Sequence, residues 1–168
     1  MKVIFLDIDG VVYPCFKRKQ ITCDIQVLRD KVKPIVADVA LIPDWDLIHV
    51  CYGWDSGAME RLKRLLVKHD ARIVIESSWR YSRSLHDLKR LFALWGLREY
   101  VMDITSLEAG FLKEPGILAY LKQHEDIEQY VILDDIPMEK TFGSHAVRCP
   151  DIFDEDCYYK ANRCLYGI

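Results

Sequence analysis

The chain has 168 residues, of which 51% are hydrophobic and 29% are charged, a composition typical of one globular domain with a buried core. Its 23 basic and 26 acidic residues leave a net charge of −3, so no overall field favours binding to nucleic acid or to an anionic membrane. The six cysteines show no Cys-x-x-Cys spacing, which argues against a zinc or redox site and predicts reduced thiols.

No apolar stretch has the length of a signal peptide or of a membrane-spanning helix. The first run, residues 1–6, meets Asp7, and the run 35–42 is short and interrupted by Asp38. We therefore expect a cytoplasmic protein.

Four apolar runs of strand length each end in a polar or acidic residue. Their hydrophobicity is continuous rather than alternating, which indicates strands that are covered on both faces, as in a parallel sheet. The runs span residues 3–6, 72–75, 101–102 and 130–133.

Helical patterns lie between and after these runs. Asp55 or Ser56 can cap a first helix, and Ser84 with Asp87 forms the capping pattern of a second that Gly96 closes. Pro115 suits the first turn of a third, with Ile117, Leu118 and Leu121 inward, and residues 154–165 form a fourth with an acidic start. Alternating strands and helices predict an α/β fold, a three-layer Rossmann-like parallel sheet within one domain of residues 1–168.

Residues 11–54 do not fit the strand and helix alternation. They carry helical signals at 25–32 and 35–41, together with Pro34 and Pro43, but no clear strand. We interpret them as a flap and a small cap insertion after the first strand, placed over the carboxyl-terminal edge of the sheet.

Ligands of open α/β sheets bind where the carboxyl ends of the strands meet, so the residues after each apolar run are candidates for one site. Several carboxylates at one place repel each other unless a cation neutralises them, and oxygen ligands without histidine favour Mg²⁺. The candidate residues are Asp7, Asp9, Ser77, Lys113, Asp134 and Asp135.

A calcium-binding loop is the first alternative for Asp7 and Asp9. Such a loop needs an oxygen ligand at its fifth position and an acidic residue at its twelfth, where this chain has Val11 and Arg18. A plain surface pair is the second alternative, but carboxylates after a wholly apolar strand are not needed for folding. The pattern therefore favours a functional site.

Four motifs occur in order along the chain. They are Phe5-Leu6-Asp7-Ile8-Asp9-Gly10-Val11, Ile73-Val74-Ile75-Glu76-Ser77-Ser78-Trp79-Arg80, Lys113, and Val131-Ile132-Leu133-Asp134-Asp135. Together they resemble the haloacid dehalogenase-like (HAD) phosphohydrolases, and the Ser-Ser-Trp-Arg string is similar to small HAD domains linked with nucleic-acid repair proteins. The resemblance implies the parallel α/β core and phosphoryl transfer.

The resemblance and the chemistry imply a role for each residue of the first motif. Asp7 is the nucleophile that forms an aspartyl phosphate, and it is also a metal ligand. Asp9 protonates the leaving oxygen with a side chain held off the metal, while its backbone carbonyl can bind Mg²⁺. Gly10 binds next to the substrate, since the chain can turn there without a Cβ that would collide with it.

The remaining motifs supply phosphate binding and the rest of the metal site. Ser77 or Ser78 donates a hydroxyl to the phosphoryl group, with Ser77 favoured because it ends the apolar run. Lys113 neutralises the transferred group, with Lys122 as the alternative. Both Asp134 and Asp135 are predicted Mg²⁺ ligands, one directly and one through water.

Three residues of the second motif carry further expectations. Glu76 is unusual at the end of a buried strand, and it either faces the substrate or pairs with Arg80. Trp79 and Arg80 either stack on an aromatic ring of the substrate or anchor the following helix.

The short insertion predicts an open site that accepts a macromolecular phosphate. A phosphoprotein, including phosphotyrosine, is slightly favoured because the charge gives no footprint for a polynucleotide. A nucleic-acid end phosphatase acting in repair is the alternative, and a non-catalytic HAD-like binding module is the third reading. Nothing in the sequence specifies an oligomeric state.

Overall fold

The four apolar runs form strands in the computed structural model, which describes residues 1–16, 20–108 and 110–168. They are β1 (Lys2–Leu6), β2 (Ala71–Ile75), β3 (Val101–Ile104) and β4 (Gln129–Asp134), and the sequence did not predict the short edge strand β5 (Ala146–Arg148). Within the described residues all strand pairs are parallel and the order is β3-β2-β1-β4-β5. The predicted parallel α/β sheet is therefore confirmed.

The register of the sheet brings the carboxyl ends of its three central strands level. Leu6 pairs with Ile75 of β2 on one side and with Leu133 of β4 on the other. The amide of Asp7 donates to the carbonyl of Leu133 at 2.9 Å, and the amide of Glu76 donates to the carbonyl of Leu6 at 2.9 Å. Residues after these three strands consequently lie side by side.

Helices cover both faces of the sheet and complete three layers. Ile4 and Leu6 belong to a large core that includes buried residues of the helices after β1, β2 and β5, whereas Phe5 faces a smaller core with Ile117 and Tyr120. Among the described residues, no helix is long and apolar enough to span a membrane. The α-helices are α1 (Ile25–Val32), α2 (Asp44–Ile48), α3 (Ser56–His69), α4 (Leu85–Ala93), α5 (Lys113–Gln123), α6 (Glu139–Phe142) and α7 (Glu155–Tyr166).

The predicted capping residues define where several helices start. The Asp55 carboxylate accepts from the amide of Ala58 at 2.8 Å at the start of α3, and Ser84 and Asp87 form both bonds of a capping box on α4. In α5, Ile117 is buried as predicted, but Leu118 is 48% exposed and Tyr120 is buried instead. The ring of Tyr120 packs edge-on against Phe5 at 5.6 Å, which fixes the face that α5 turns towards the sheet.

The described residues of the insertion after β1 contact α4 and the segment that follows it. Arg90 of α4 binds Asp38 at 2.6 Å, and the indole of Trp95 donates to the carbonyl of Val50 at 3.1 Å. Helix α1 matches its predicted range. The helix predicted at 35–41 is wrong, because this segment forms only one 3₁₀ turn, Val39–Leu41. A π-helical turn, His49–Gly53, leads back towards α3. Residues 17–19, which include the Arg18 of the calcium-loop comparison, lie outside the described residues.

Candidate active site

Three carboxylates meet at the carboxyl ends of β1 and β4. Oxygen atoms of Asp7, Asp134 and Asp135 all lie within 4.8 Å of one another, and Asp7 and Asp134 are buried. Burial, and then the charge of Asp7, raise the pKa of Asp134 to about 7, although Lys113 opposes this shift. A close group of hard oxygen ligands in an environment that disfavours their negative charge fits Mg²⁺.

Lys113, the first residue of α5, joins the two buried aspartates. Its Nζ donates to Oδ2 of Asp7 and to Oδ2 of Asp134, each at 2.7 Å. Burial alone would lower the pKa of Lys113, but Asp7, Asp134 and Glu76 outweigh this and raise it above its usual value. The surrounding carboxyl groups therefore favour the charged form of Lys113 beside the predicted nucleophile.

A fourth carboxyl group, that of Glu76, lies behind this lysine and is fully buried. Its Oε2 is 3.7 Å from Nζ of Lys113, and its Oε1 is 3.2 Å from Nη2 of Arg80. The predicted pairing with Arg80 is thus confirmed. Burial raises the pKa of Glu76 to about 8 in spite of both cations.

The side chain of Asp9 is bound by a tryptophan. Its Oδ2 accepts a hydrogen bond from the indole Nε1–H of Trp79 at 2.9 Å. Trp79 is buried in the 3₁₀ turn Ser78–Tyr81 that follows β2. This turn therefore orients the carboxylate of Asp9, which follows β1. Among the described residues, the group of carboxylates that could hold a metal ion does not include the side chain of Asp9.

Gly10 lies close to a candidate metal ligand of the protein. Its φ angle is +76°, and an added Cβ would lie 2.7 Å from Cβ of Asp135. A residue with a side chain would therefore be strained there and would collide with Asp135.

The two predicted phosphate-binding serines differ in exposure. Ser77 is fully buried and its Oγ lies 3.5 Å from the amide of Trp79, whereas Ser78 is exposed. The backbone carbonyl of Ser77 also accepts from Nη1 of Arg80 at 2.7 Å. Arg80 is thus tied to the turn and buried, which agrees with the anchoring role rather than with stacking on a substrate.

Apart from Trp79, the aromatic group beside Asp9 had no signal in the sequence. The ring of Trp45 in α2 stacks on His49 with centroids 4.1 Å apart, and it lies 5.8 Å from Trp79. The Tyr13 hydroxyl and Nδ1 of His49 are 2.6 Å apart. These residues come from the insertion and from the turn after β2, so only folding brings them together.

The family relationship can be assigned from a match that covers most of the chain. A family model described as the HAD domain in Swiss Army Knife RNA repair proteins matches residues 3–152, which include all five strands except Lys2 of β1 and every residue of the site described above. The chain belongs to this family. Comparison with curated proteins finds no significant relative.

Membership gives the site a coarse functional meaning. The predicted resemblance to HAD domains linked with nucleic-acid repair is confirmed, and at the level of the superfamily the chain is a HAD-type phosphohydrolase. Members of the superfamily usually use Mg²⁺, and the acidic group of this HAD domain could bind a metal ion.

Proposed function

We propose that this HAD domain is a Mg²⁺-dependent phosphomonoesterase that works through an aspartyl phosphate on Asp7. The observation that carries the proposal is the pair of 2.7 Å contacts from Lys113 to Asp7 and Asp134, beside the three-carboxylate group. Folding alone does not require a buried lysine between two aspartates, because such groups are costly to desolvate. Phosphoryl transfer does require it, since negative charge accumulates at this place.

Each side chain has a defined task in the proposed reaction. An oxygen of Asp7 attacks phosphorus, the bond to the leaving oxygen breaks, and Asp9 gives that oxygen its proton. Asp9 then takes a proton from the water that attacks the aspartyl phosphate, which releases phosphate and restores Asp7. Lys113 neutralises charge on the transferred group. A Mg²⁺ ion held by Asp7, Asp134 and Asp135 would supply further electrostatic stabilisation of the phosphoryl oxygens.

We further propose that the phosphate belongs to the end of an RNA or DNA strand. The family is described by RNA repair proteins, which supports this alternative over the phosphoprotein that the net charge alone favoured. The aromatic residues next to Asp9 support it as well, since bases at strand ends are commonly recognised by stacking.

The decisive experiment is a phosphatase screen of wild type and Asp7→Asn. Substrates are an aryl phosphate, 3′- and 5′-phosphorylated oligonucleotides and phosphopeptides, each with Mg²⁺ and with a chelator. We expect Mg²⁺-dependent turnover of the oligonucleotides and a loss of roughly 10³-fold or more in the variant, because an amide cannot replace the nucleophile. Equal turnover by the variant would rule out the aspartyl phosphate.

The binding-module alternative makes a different prediction in calorimetry. An intact site should bind Mg²⁺ together with beryllium fluoride, which mimics the phosphoryl group on Asp7, and Asp7→Asn should not. A protein that binds neither and hydrolyses nothing would favour the binding module.

A further inference from the structure

One tryptophan next to the candidate site is exposed although it is held rigidly. Trp45 is 48% exposed, whereas Trp54 and Trp79 are 3% and 5% exposed. The ring of Trp45 lies nearly parallel to that of His49, at 27°, and His49 is in turn bound to Tyr13. An ordered aromatic surface that remains partly open to solvent is suited to stacking on another planar group.

The position of Trp45 relates it to the leaving group. Asp9, the proposed proton donor to the leaving oxygen, accepts from Trp79, and the ring centroids of Trp79 and Trp45 are 5.8 Å apart. The group bonded to the leaving oxygen would therefore lie near Trp79, and the next group beyond it would lie near Trp45.

This order of groups separates two kinds of substrate. In phosphotyrosine the aromatic ring carries the ester oxygen itself, so that ring would lie beside Trp79 and Asp9. At the end of a nucleic-acid strand the ribose carries the ester oxygen, and the base follows one sugar further out. Trp45 contacts Trp79, which in turn binds Asp9, and this order of contacts favours the base as the group that Trp45 meets.

Arg83 adds polarity to the same surface without adding much net charge. Its guanidinium lies 4.3 Å from the ring of Trp79 and 5.9 Å from that of Trp45. Two nitrogens of Arg83 bind both carboxylate oxygens of Asp46, at 2.9 and 2.7 Å. Because Asp46 neutralises the charge of Arg83, this surface should recognise a substrate by stacking more than by attraction to its phosphates. The net charge of −3 agrees with this.

We propose that Trp45 stacks on the base of the terminal nucleotide whose phosphate is removed and so determines specificity for nucleic-acid ends. The inference rests on the proposed function, since it requires a HAD phosphatase that accepts such ends. It adds a residue in the insertion that distinguishes a nucleoside from other leaving groups.

The test compares oligonucleotides that have a base at the phosphorylated end with matched oligonucleotides whose terminal nucleoside is abasic. Trp45→Ala and Trp45→Leu should lower kcat/KM about tenfold or more for the oligonucleotides with a terminal base, mainly through KM, since the variants lose the stacking on one base. Both variants should match wild type on the abasic substrates. Trp45→Phe should restore most of the loss, and Tyr159→Ala, which removes an exposed ring of α7, is the control.

The outcomes separate this inference from the proposed function. If wild type hydrolyses the aryl phosphate through Asp7 but no oligonucleotide, the proposed substrate is wrong and the role of Trp45 falls with it. A second outcome is that oligonucleotides are hydrolysed and kcat/KM falls equally for base-bearing and abasic ends in Trp45→Ala and Trp45→Leu. In that case the proposed function stands and the stacking role is wrong. A fall in kcat/KM that these variants show only with a phosphotyrosine peptide would also overturn the stacking role. Thermal melting of each variant shows whether it is folded.

Discussion

The indole Nε1–H of Trp79 donates to Oδ2 of Asp9 at 2.9 Å, although 70 positions separate the two residues in the chain. The bond holds the proposed general acid from the turn after the neighbouring strand. Orientation of an acid relative to the bond that it protonates is part of the catalytic effect, because a misdirected carboxyl group rarely reaches the leaving oxygen.

Trp79→Phe is therefore expected to lower kcat by about tenfold or more with a smaller change in KM, since it removes one hydrogen bond to a carboxylate, which contributes about 1.5 kcal/mol or more. The matched control is Trp54→Phe. Trp54 is also buried and packs on Trp79 at 5.9 Å, but its Nε1–H has no partner among the described residues. Steady-state kinetics should show the loss only for Trp79→Phe; equal kcat values in the two variants would contradict the orienting role.

Gly10→Ala tests the close approach of the loop after β1 to Asp135. The substitution should lower the free energy of unfolding by about 1–3 kcal/mol, from the positive φ of +76°, and should also displace Asp135 and weaken activity and metal binding. Gly96→Ala is the control, because Gly96 has a φ of +70° and an added Cβ there would meet nothing within 4 Å. Chemical denaturation and phosphatase assays should show destabilisation in both variants and loss of activity in Gly10→Ala alone.

The three-carboxylate group predicts a metal-dependent gain in stability. Adding Mg²⁺ should raise the Tm of wild type, because a ligand that binds only the folded state stabilises it by mass action. Asp135→Asn should reduce this increase, whereas Asp126→Asn, which changes an exposed carboxylate elsewhere, should leave it intact. Thermal melts over a Mg²⁺ titration provide the measurement, and an unchanged increase in Asp135→Asn would exclude this residue from the metal site.

Glu76 predicts a specific pH dependence of stability. Burial raises the pKa of Glu76 from 4.5 to about 8, so between these values the folded state holds a proton that the unfolded chain releases. The stabilisation from this proton is fully present below about pH 4.5 and is lost as the pH rises through about 8.

Glu76→Gln has no such proton, so the free energy of unfolding of wild type should fall relative to this variant as the pH rises from about 5 to about 8. The expected change is a few kcal/mol, at about 1.4 kcal/mol per pKa unit. Urea denaturation of both proteins without metal, at intervals of one pH unit, measures it. A constant difference would mean that the carboxyl group keeps the same charge throughout.

The sequence by itself determined the features that depend on neighbours in the chain. Continuous apolar runs predicted β1 to β4, Ser84 and Asp87 predicted the start of α4, and the acidic residues after the strands predicted the members of the site. These features are local, because the hydrophobic pattern of a strand and the capping of a helix are decided within a few residues. The motif order was enough to predict the superfamily that the family match confirmed.

The tertiary structure decided the features that depend on contacts between distant segments. Strand β5 has only three residues, and pairing with β4 rather than its own pattern defines it. In the same way, Glu76 meets Lys113, Gly10 meets Asp135, and Trp45 meets the turn after β2 only in the folded chain. The residues after β1 and β4 were readable as acids from the sequence. Their distances, burial and partners were not, since these depend on which strands and loops lie next to each other in space.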